Sequence, residues 1–364
     1  MFLIITRSFP PDIGGMQSLM GGLSENLLNH GPVKVFAYDT LNSSIYDSKS
    51  PLDILRIKGI KLFKKYRKAN LANDFINKNN IRAIFTDHWK SIELLNQDYL
   101  HKSKTFCLLH SKEINHEINS SLNKRLVKST NKANFIIANS NFTKNLAIKK
   151  GINSAKIHVI FPGINKPKKI DNEVIKKAEN IYKDSFPKII TVARLDKRKG
   201  HEKILMSIKN LKIKFPKIKY VCIGSGNEEK SLLKLSKELS LDKEIIFFKH
   251  LEEDLKLALI KSSNLFLMPS RIEKKSVEGF GISFVEAGSY GVGSIGGKDG
   301  GASDAINHGV TGLICDGNDL NSIYENIINF FDNDKFSIFG KNAKKFSENF
   351  YWDKIIKNYL NLIN

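Results

Sequence analysis

Two carboxylates, Glu278 and Glu286, have seven residues between them and stand on either side of the turn Gly279-Phe280-Gly281-Ile282. An apolar helix starts near Gly281, and the first-turn N–H groups around Gly281 to Ser283 have no partner within the helix and can bind an anion. Glu278 sits beside that position. Glu286 falls about two turns further along, on a helix otherwise largely apolar. A carboxylate there wants hydroxyl partners, and a ribose supplies two. The plainer roles are a capped or salt-bridged core-edge acid for Glu286 and a helix-dipole partner for Glu278.

Four other clusters follow apolar runs. In Ala193-Arg194-Leu195-Asp196-Lys197-Arg198-Lys199-Gly200, Arg194 and Lys199 are spaced to converge on one anion. The arginine offers a forked contact and the lysine a point charge, a suitable pair for a diphosphate. In Phe9–Gly15, the adjacent Gly14 and Gly15 let backbone approach a phosphate closely. His110 ends the run Leu108-Leu109-His110 and faces the same side, although a lone histidine there is commonly structural. Gly224 opens the turn Gly224-Ser225-Gly226, which either lies against a nucleoside or is an ordinary β-α turn.

The elements that must position these groups alternate in a β-α rhythm. Apolar runs at Phe2–Ile5, Val33–Tyr38, Ala83–Thr86, Thr105–Leu109, Phe135–Ala138 and Ile157–Ile160 predict strands of one parallel sheet. Runs at Ile189–Ala193, Tyr220–Ile223, Ile245–Phe248, Leu265–Met268, Gly293–Ile295 and Leu313–Cys315 predict a second. The segment 166–187, rich in lysine and proline, reads as a linker with one surface helix. The expected domains are therefore 1–165 and 188–349. The terminal stretch Tyr351–Ile363 has Trp352, Ile355, Ile356, Tyr359, Leu360 and Ile363 at helical spacing, an apolar face that needs a partner surface. Ligands of such sheets sit beyond the carboxyl ends of the strands, where every cluster above is found.

With these clusters in this order the chain resembles glycosyltransferase family 4 over nearly its whole length. Glu278 with Glu286, Arg194 with Lys199, and Gly14-Gly15 carry the resemblance together; Gly300-Gly301 and Thr311-Gly312-Leu313 extend it. The resemblance implies an α/β fold of the GT-B type, two Rossmann-like doubly wound domains with a cleft between them. It implies a retaining, metal-independent transferase with no cofactor beyond its nucleotide-sugar donor. Arg194 and Lys199 would neutralise the donor diphosphate, and Gly14 and Gly15 would close over it. The backbone of Gly279, Phe280, Gly281 and Ile282 would meet the same donor. Glu286 would hold the ribose, Glu278 the sugar hydroxyls, His110 the reacting face, and Gly224 and the backbone of Lys249, His250 and Leu251 the nucleoside. The terminal helix, 350–364, would return to the first domain. Gly300-Gly301-Ala302-Ser303-Asp304 departs from the family's usual Gly-Gly-x-Pro-Glu, and Lys249-His250 from its usual glycine, so GDP-mannose and a UDP-sugar both stay open. The insert Ile272–Val277 resembles the phosphatidylinositol mannosyltransferase branch and favours GDP-mannose.

Composition narrows the classes. The 364 residues are 41% hydrophobic and 26% charged, normal for a globular chain that buries a core. Cys107, Cys222 and Cys315 are scattered, without a Cys-x-x-Cys pair, which disfavours a disulfide framework or a cysteine zinc site and fits a cytoplasmic location. Met1–Ile5 is too short for a signal core. Asp332-Asn333-Asp334 spells Asp-x-Asp but reads as a helix boundary. The net charge of +21 admits nucleic acid or an anionic membrane, but the cations are dispersed and no nucleic-acid motif occurs. No dinucleotide glycine fingerprint follows the first strand, which disfavours an oxidoreductase. The stretch 52–71 mixes Lys58, Lys61, Lys64, Lys65, Arg67 and Lys68 with Leu55, Ile57, Ile60, Leu62 and Phe63. Such a mixture either lies on an anionic bilayer or forms a solvated cover helix. The expected acceptor is a glycan or lipid-linked molecule of cell-envelope polysaccharide or glycolipid synthesis.

Overall fold

The computed structural model describes residues 1–364, the side chains of Lys61 and Leu62 excepted. The expectations for those two side chains lie outside the described residues. The chain forms two compact units, Met1–Asn165 with Phe350–Asn364, and Lys166–Asn349.

The first unit is built on a seven-stranded, wholly parallel sheet. Its strands are β1 (Phe2–Ile5), β2 (Val33–Tyr38), β3 (Asp53–Ile57), β4 (Ala83–Thr86), β5 (Lys104–Leu109), β6 (Phe135–Ala138) and β7 (Ile157–Val159), ordered β3-β2-β1-β4-β5-β6-β7. Every residue of β1 and β4 is buried, as expected of central parallel strands covered on both faces. One face is filled by Leu3, Ile5, Ile84 and Trp89, the other by Phe2, Ile4, Phe85 and Phe106.

The terminal helix Trp352–Ile363 belongs to this unit. It lays Trp352, Ile355, Ile356, Tyr359 and Ile363 into the second of those cores. The Trp352 indole lies against Gly22 of the Gly15–Leu27 helix and against Gly163, both too close to it for a Cβ.

β3 was hidden in the sequence. Asp53–Ile57 was expected to be part of one basic amphipathic stretch, whereas it is an edge strand paired with β2, followed by the helix Lys61–Lys78. Only Ile57 of this strand is fully buried, so it lacks the continuous apolar run of the inner strands. Arg56 is held by two bonds from Nε and one from Nη2 to Asp47, at 2.7–3.2 Å.

The second unit carries β8 (Lys188–Val192), β9 (Lys219–Ile223), β10 (Ile245–Phe248), β11 (Leu265–Met268), β12 (Ser294–Gly297) and β13 (Gly312–Cys315), all parallel, in the order β10-β9-β8-β11-β12-β13. The segment expected as a linker is integral to this unit. Its helix Asn172–Tyr182 buries Ala178 and Tyr182, and the Tyr182 hydroxyl donates to the Leu259 carbonyl at 3.3 Å. An aromatic side chain placed once per few turns was too weak a signal against so many lysines. Asp332–Asp334 is a short turn between the helices Leu320–Phe331 and Lys335–Ser347. Among the described residues no helix is long and apolar enough to cross a membrane.

Candidate active site

In the second sheet the strand order reverses between β8 and β11. Loops leaving the carboxyl ends of those two strands part company, which is where doubly wound sheets hold ligands. The loop after β8 carries the cationic cluster and the segment after β11 carries Glu278.

The geometry divides the cluster differently from the sequence expectation. Arg194 was expected to converge with Lys199, but its side chain is 67% exposed and reaches Asp196 Oδ2 at 3.6 Å. The residue that does converge is Arg198. It and Lys199 lie in the short turn Lys197–Lys199 and are only 7% and 8% exposed. Both reach one oxygen, Glu278 Oε2, at 2.5 Å. Asp196 Oδ2, 3.8 Å from Arg198, links this knot to Arg194. Arg194, Arg198 and Lys199 thus stand against two carboxylates, Asp196 and Glu278, leaving one positive charge over. The buried pair Arg198 and Lys199 is balanced by Glu278 and Asp196, so the surplus sits on the largely exposed Arg194, where a ligand anion can reach it.

Burial by itself would raise the Glu278 pKa, but Lys199 and then Arg198 outweigh it and hold the group at about 2. Burial pushes Lys199 down, with Glu278 opposing. The knot is therefore a salt bridge of fixed charges at neutral pH. His201 supports it from beneath. Its Nε2–H donates to the Arg194 carbonyl at 3.1 Å, and burial lowers its pKa to about 4, so the ring is neutral.

Gly281 makes the adjoining helix start possible. It caps Ile282–Ser289 at φ 89°, ψ 61°, a left-handed conformation with the Phe284 ring where a Cβ would stand. No side chain caps that helix and no acid occupies its first turn, so the Ile282 and Ser283 amides keep their donors for a ligand. Gly301 N–H donates to the Glu278 carbonyl at 3.0 Å, so the Gly300-Gly301 turn seats Glu278 from behind. One turn into the helix, Glu286 accepts no hydrogen bond among the described residues, and burial raises its pKa, with Lys256 opposing. A half-buried carboxyl with free lone pairs is suited to hydroxyl donors.

The remaining donor-side positions stand at the ends of β9 and β10. Gly224 N–H donates to the Phe248 carbonyl at 2.8 Å, and Ser225 accepts from Leu195 N–H at 2.9 Å, so this turn braces the Arg194 loop. Lys249 turns to Glu229 at 3.5 Å, His250 is exposed, and Leu251 is half-buried.

The first sheet reverses between β1 and β4. There the sequence reading named only His110, Gly14 and Gly15, and missed the group around them. Asp87, fully buried, accepts from Thr6 Oγ1 at 2.9 Å, Arg7 N–H at 2.8 Å, Ser8 N–H at 3.2 Å and Ser91 Oγ at 2.7 Å. His110 Nε2–H donates to the Asp87 carbonyl at 2.9 Å, which leaves Nδ1 as the ring nitrogen not used by the protein. Lys68, 3% exposed, donates to the Thr6 carbonyl at 2.8 Å. Burial takes its pKa down to about 8, with Asp87 opposing. Gly14 and Gly15 open the Gly15–Leu27 helix, which has neither a side-chain cap nor a first-turn acid. The signal for Asp87-His88 was available, since the pair follows β4 as His110 follows β5.

Comparison with known proteins agrees with this organisation. The profile described as Glycosyltransferase Family 4 matches residues 13–166, and that described as Glycosyl transferases group 1 matches residues 171–350. A GDP-mannose-dependent alpha-(1-6)-phosphatidylinositol monomannoside mannosyltransferase of Mycolicibacterium smegmatis is 22% identical over 330 residues, 88% of this chain and 86% of that protein. Anabaena HepE, crystallised with UDP and glucose, superposes with a TM-score of 0.81 at 17% identity, covering 99% of this chain and 98% of that one. Sucrose-phosphate synthase of Thermosynechococcus elongatus does so at 0.82 and 19% identity, over 99% and 97%. These structural likenesses establish the fold, the two-sheet GT-B architecture. The chain belongs to glycosyltransferase family 4, and its activity is the transfer of a sugar from a nucleotide-sugar donor.

Proposed function

We propose that the chain is a retaining hexosyltransferase that moves mannose or glucose from a nucleotide-diphosphate sugar to a glycan or lipid-linked acceptor of the cell envelope. The observation that carries this reading is the buried knot of Arg198, Lys199 and Glu278 beside an uncapped helix start. As the anomeric C–O bond breaks, negative charge grows on the departing diphosphate. Lys199, Arg194 and the amides of Ile282 and Ser283 are charges and dipoles suited to that growing charge, and they favour the transition state over the ground state. They take the place of a metal ion, so the reaction is metal-independent.

Glu278 differs from its expected role in one respect. Oε2 is committed to the two cations, which leaves Oε1 for a donor-sugar hydroxyl. Arg198 then holds Glu278 while Lys199 is drawn onto the diphosphate. Glu286 takes the ribose hydroxyls. In the first unit His110 offers Nδ1 to a hydroxyl at the reacting face, and Gly14 and Gly15 close over the donor.

The donor is GDP-mannose, a choice supported by the Ile272–Val277 insert and by the named substrate of the mycobacterial relative. A UDP-sugar is the alternative supported by the ligand of the Anabaena structure. A thermal-shift and donor-hydrolysis screen over GDP- and UDP-sugars, with and without chelator, tests all of this. Stabilisation and turnover by one donor, unaffected by chelator, is the expected result. Binding without turnover would make the chain a catalytically silent nucleotide-sugar binder, and strict metal dependence would overturn the metal-free scheme.

The membrane part of the reading concerns the helix Lys61–Lys78. Ile60, Phe63 and Tyr66 are 73%, 62% and 49% exposed, among Lys58, Lys64, Lys65 and Arg67. Exposed apolar side chains interleaved with cations suit peripheral docking on the anionic inner face of the cytoplasmic membrane.

A further inference from the structure

Around Asp87 the first unit gathers more positive charge than it neutralises. Two cations lie on Tyr38. Lys68 lies 4.4 Å and Lys64 5.8 Å from its ring centroid, and the Arg7 N–H donates to Asp87 Oδ2 at 2.8 Å close by. Two more lie on Trp89, Lys90 at 5.0 Å and Arg125 at 5.7 Å. The nearby acids are already committed. Asp87 is enclosed by four donors, Glu93 is gripped by Arg125 at 2.7 and 3.0 Å, and Glu113 accepts the His110 N–H at 2.6 Å. Arg7, Lys64, Lys65 and Lys90 have no carboxylate within ion-pair distance among the described residues. Lys90 is held below its usual pKa first by burial and then by Arg7 and Arg125, so these cations crowd one another.

A second observation points the same way. His88 is 7% exposed, and its Nδ1 accepts the Lys90 N–H at 2.9 Å. That bond fixes the tautomer: the proton is on Nε2, and this N–H has no acceptor among the described residues. Arg7 N–H and His110 Nε2–H both donate to the preceding residue, Asp87, at 2.8 and 2.9 Å, so Arg7, His110 and Lys90 are all anchored within one residue or one bond of His88. A neutral N–H donor that is open to solvent and has no protein acceptor, set among cations without carboxylate partners, is free to meet an anion.

We propose that Arg7, His88 and Lys90 bind a phosphoryl group carried by the acceptor, beside His110. Only the word acceptor rests on the transferase reading; the phosphoryl site stands on the first unit's own residues. Arg7 supplies a forked contact, Lys90 a point charge and His88 a neutral N–H, a set that matches phosphate oxygens. Lys65 and Lys64 stand at the rim. The group is either a lipid headgroup phosphate or the phosphate of a soluble acceptor, and the same chemistry binds both.

The test is calorimetric titration of sodium phosphate into the full chain at low salt, with four variants. The Arg7→Ala/Lys90→Ala chain should bind phosphate about tenfold more weakly or worse, the loss of one or more charge-assisted hydrogen bonds. The charge-conserving Arg7→Lys/Lys90→Arg chain should recover most of the affinity. Lys90→Met, which keeps the stem on Trp89, repeats the test without disturbing the Arg7 loop. Lys199→Ala, in the other unit, should keep the phosphate site. Wild-type affinity in the double-alanine and Lys90→Met chains would overturn the proposal. So would a loss confined to Lys199→Ala, which would locate the phosphate in the donor loops and leave the transferase reading intact. The proposed pattern in a chain that binds no nucleotide sugar would instead sink the transferase reading and keep this site. Flotation with phosphatidylglycerol vesicles, against phosphatidylcholine, separates the two sources. Parallel loss of vesicle and phosphate binding in the double-alanine chain marks a lipid headgroup, and loss of phosphate binding alone marks a soluble acceptor.

Discussion

At the scale of single residues, the knot after β8 separates two roles that the sequence made look alike. Arg198 and Lys199 both end on Glu278 Oε2, but only Lys199 is a flexible point charge able to swing to a diphosphate. Lys199→Ala is expected to lower kcat by roughly a hundredfold or more, the loss of one transition-state charge contact worth about 3 kcal/mol. Steady-state kinetics with a fixed donor checks this, and near-normal kcat would remove Lys199 from the chemistry. Glu286→Ala is expected to act on binding instead. Nucleotide affinity should fall about tenfold, since one or two hydroxyl bonds to a carboxylate go, and unchanged affinity by calorimetry would deny the ribose contact.

Two buried histidines give the residue scale a pH signature. His201 and His88 have folded pKa values lowered by burial to about 4 and about 3 from 6.5. A depressed folded pKa means the stabilising contribution is complete above pH 6.5 and is lost as pH falls below it. Each histidine should cost about 1.4 kcal/mol per pH unit in that window. Unfolding temperature measured from pH 7.5 to 5 should therefore fall with acid, and His201→Gln should flatten that slope. Glu278, also depressed, keeps its contribution above pH 4.5 and loses it progressively as pH falls from 4.5 to about 2, so it does not contribute to this slope.

At the scale of elements, the terminal helix is the clearest case of a sequence pattern whose partner the structure supplies. Its apolar face was legible from spacing alone. The slot made by Gly22 and Gly163 was not, because those residues lie hundreds of positions and nearly two hundred positions upstream of Trp352. Trp352→Ala should destabilise the first unit by about 3–5 kcal/mol through the cavity it leaves; chemical denaturation read by a first-unit probe checks it, and a cost below about 1 kcal/mol would mean the slot is not a packed core. The inner strands were legible for the opposite reason: β1, β4 and β11 are buried on both faces and spell continuous apolar runs. β3 was not, because an edge strand that buries only Ile57 has the composition of a surface segment.

At the scale of the whole molecule, the net charge of +21 has more than one destination. Some lysines are solvated, some hold carbonyls, and the first unit concentrates unpaired cations at β1, β4 and the helix Lys61–Lys78. The exposed Phe63 and Ile60 beside them give membrane docking a specific form. In flotation with anionic vesicles, the wild type should rise with the lipid at low salt and fall away as salt screens the charges. Ile60→Ser/Phe63→Ser should weaken the association while the fold is kept, since both side chains are mostly in water already. No enrichment of the wild type in the lipid layer would end the docking proposal.

The order of the clusters along the chain was enough to determine the family and the fold, because parallel strands and glycine turns are local signals written in consecutive residues. The same is true of Lys199, Glu278 and Glu286 as candidates, since each lies in a motif short enough to see. What only the tertiary structure decided is which cation meets which carboxylate. Arg194 and Arg198 differ by four positions and not at all in side-chain chemistry, and the turn at Lys197–Lys199 alone sends one inward and leaves the other in solvent. Asp87, Lys68, His88 and His110 come from three separate stretches that the fold brings together beyond the carboxyl ends of the central strands β1, β4 and β5. Charge pairing depends on distances of a few ångströms between those strand ends, and linear spacing carries no record of them.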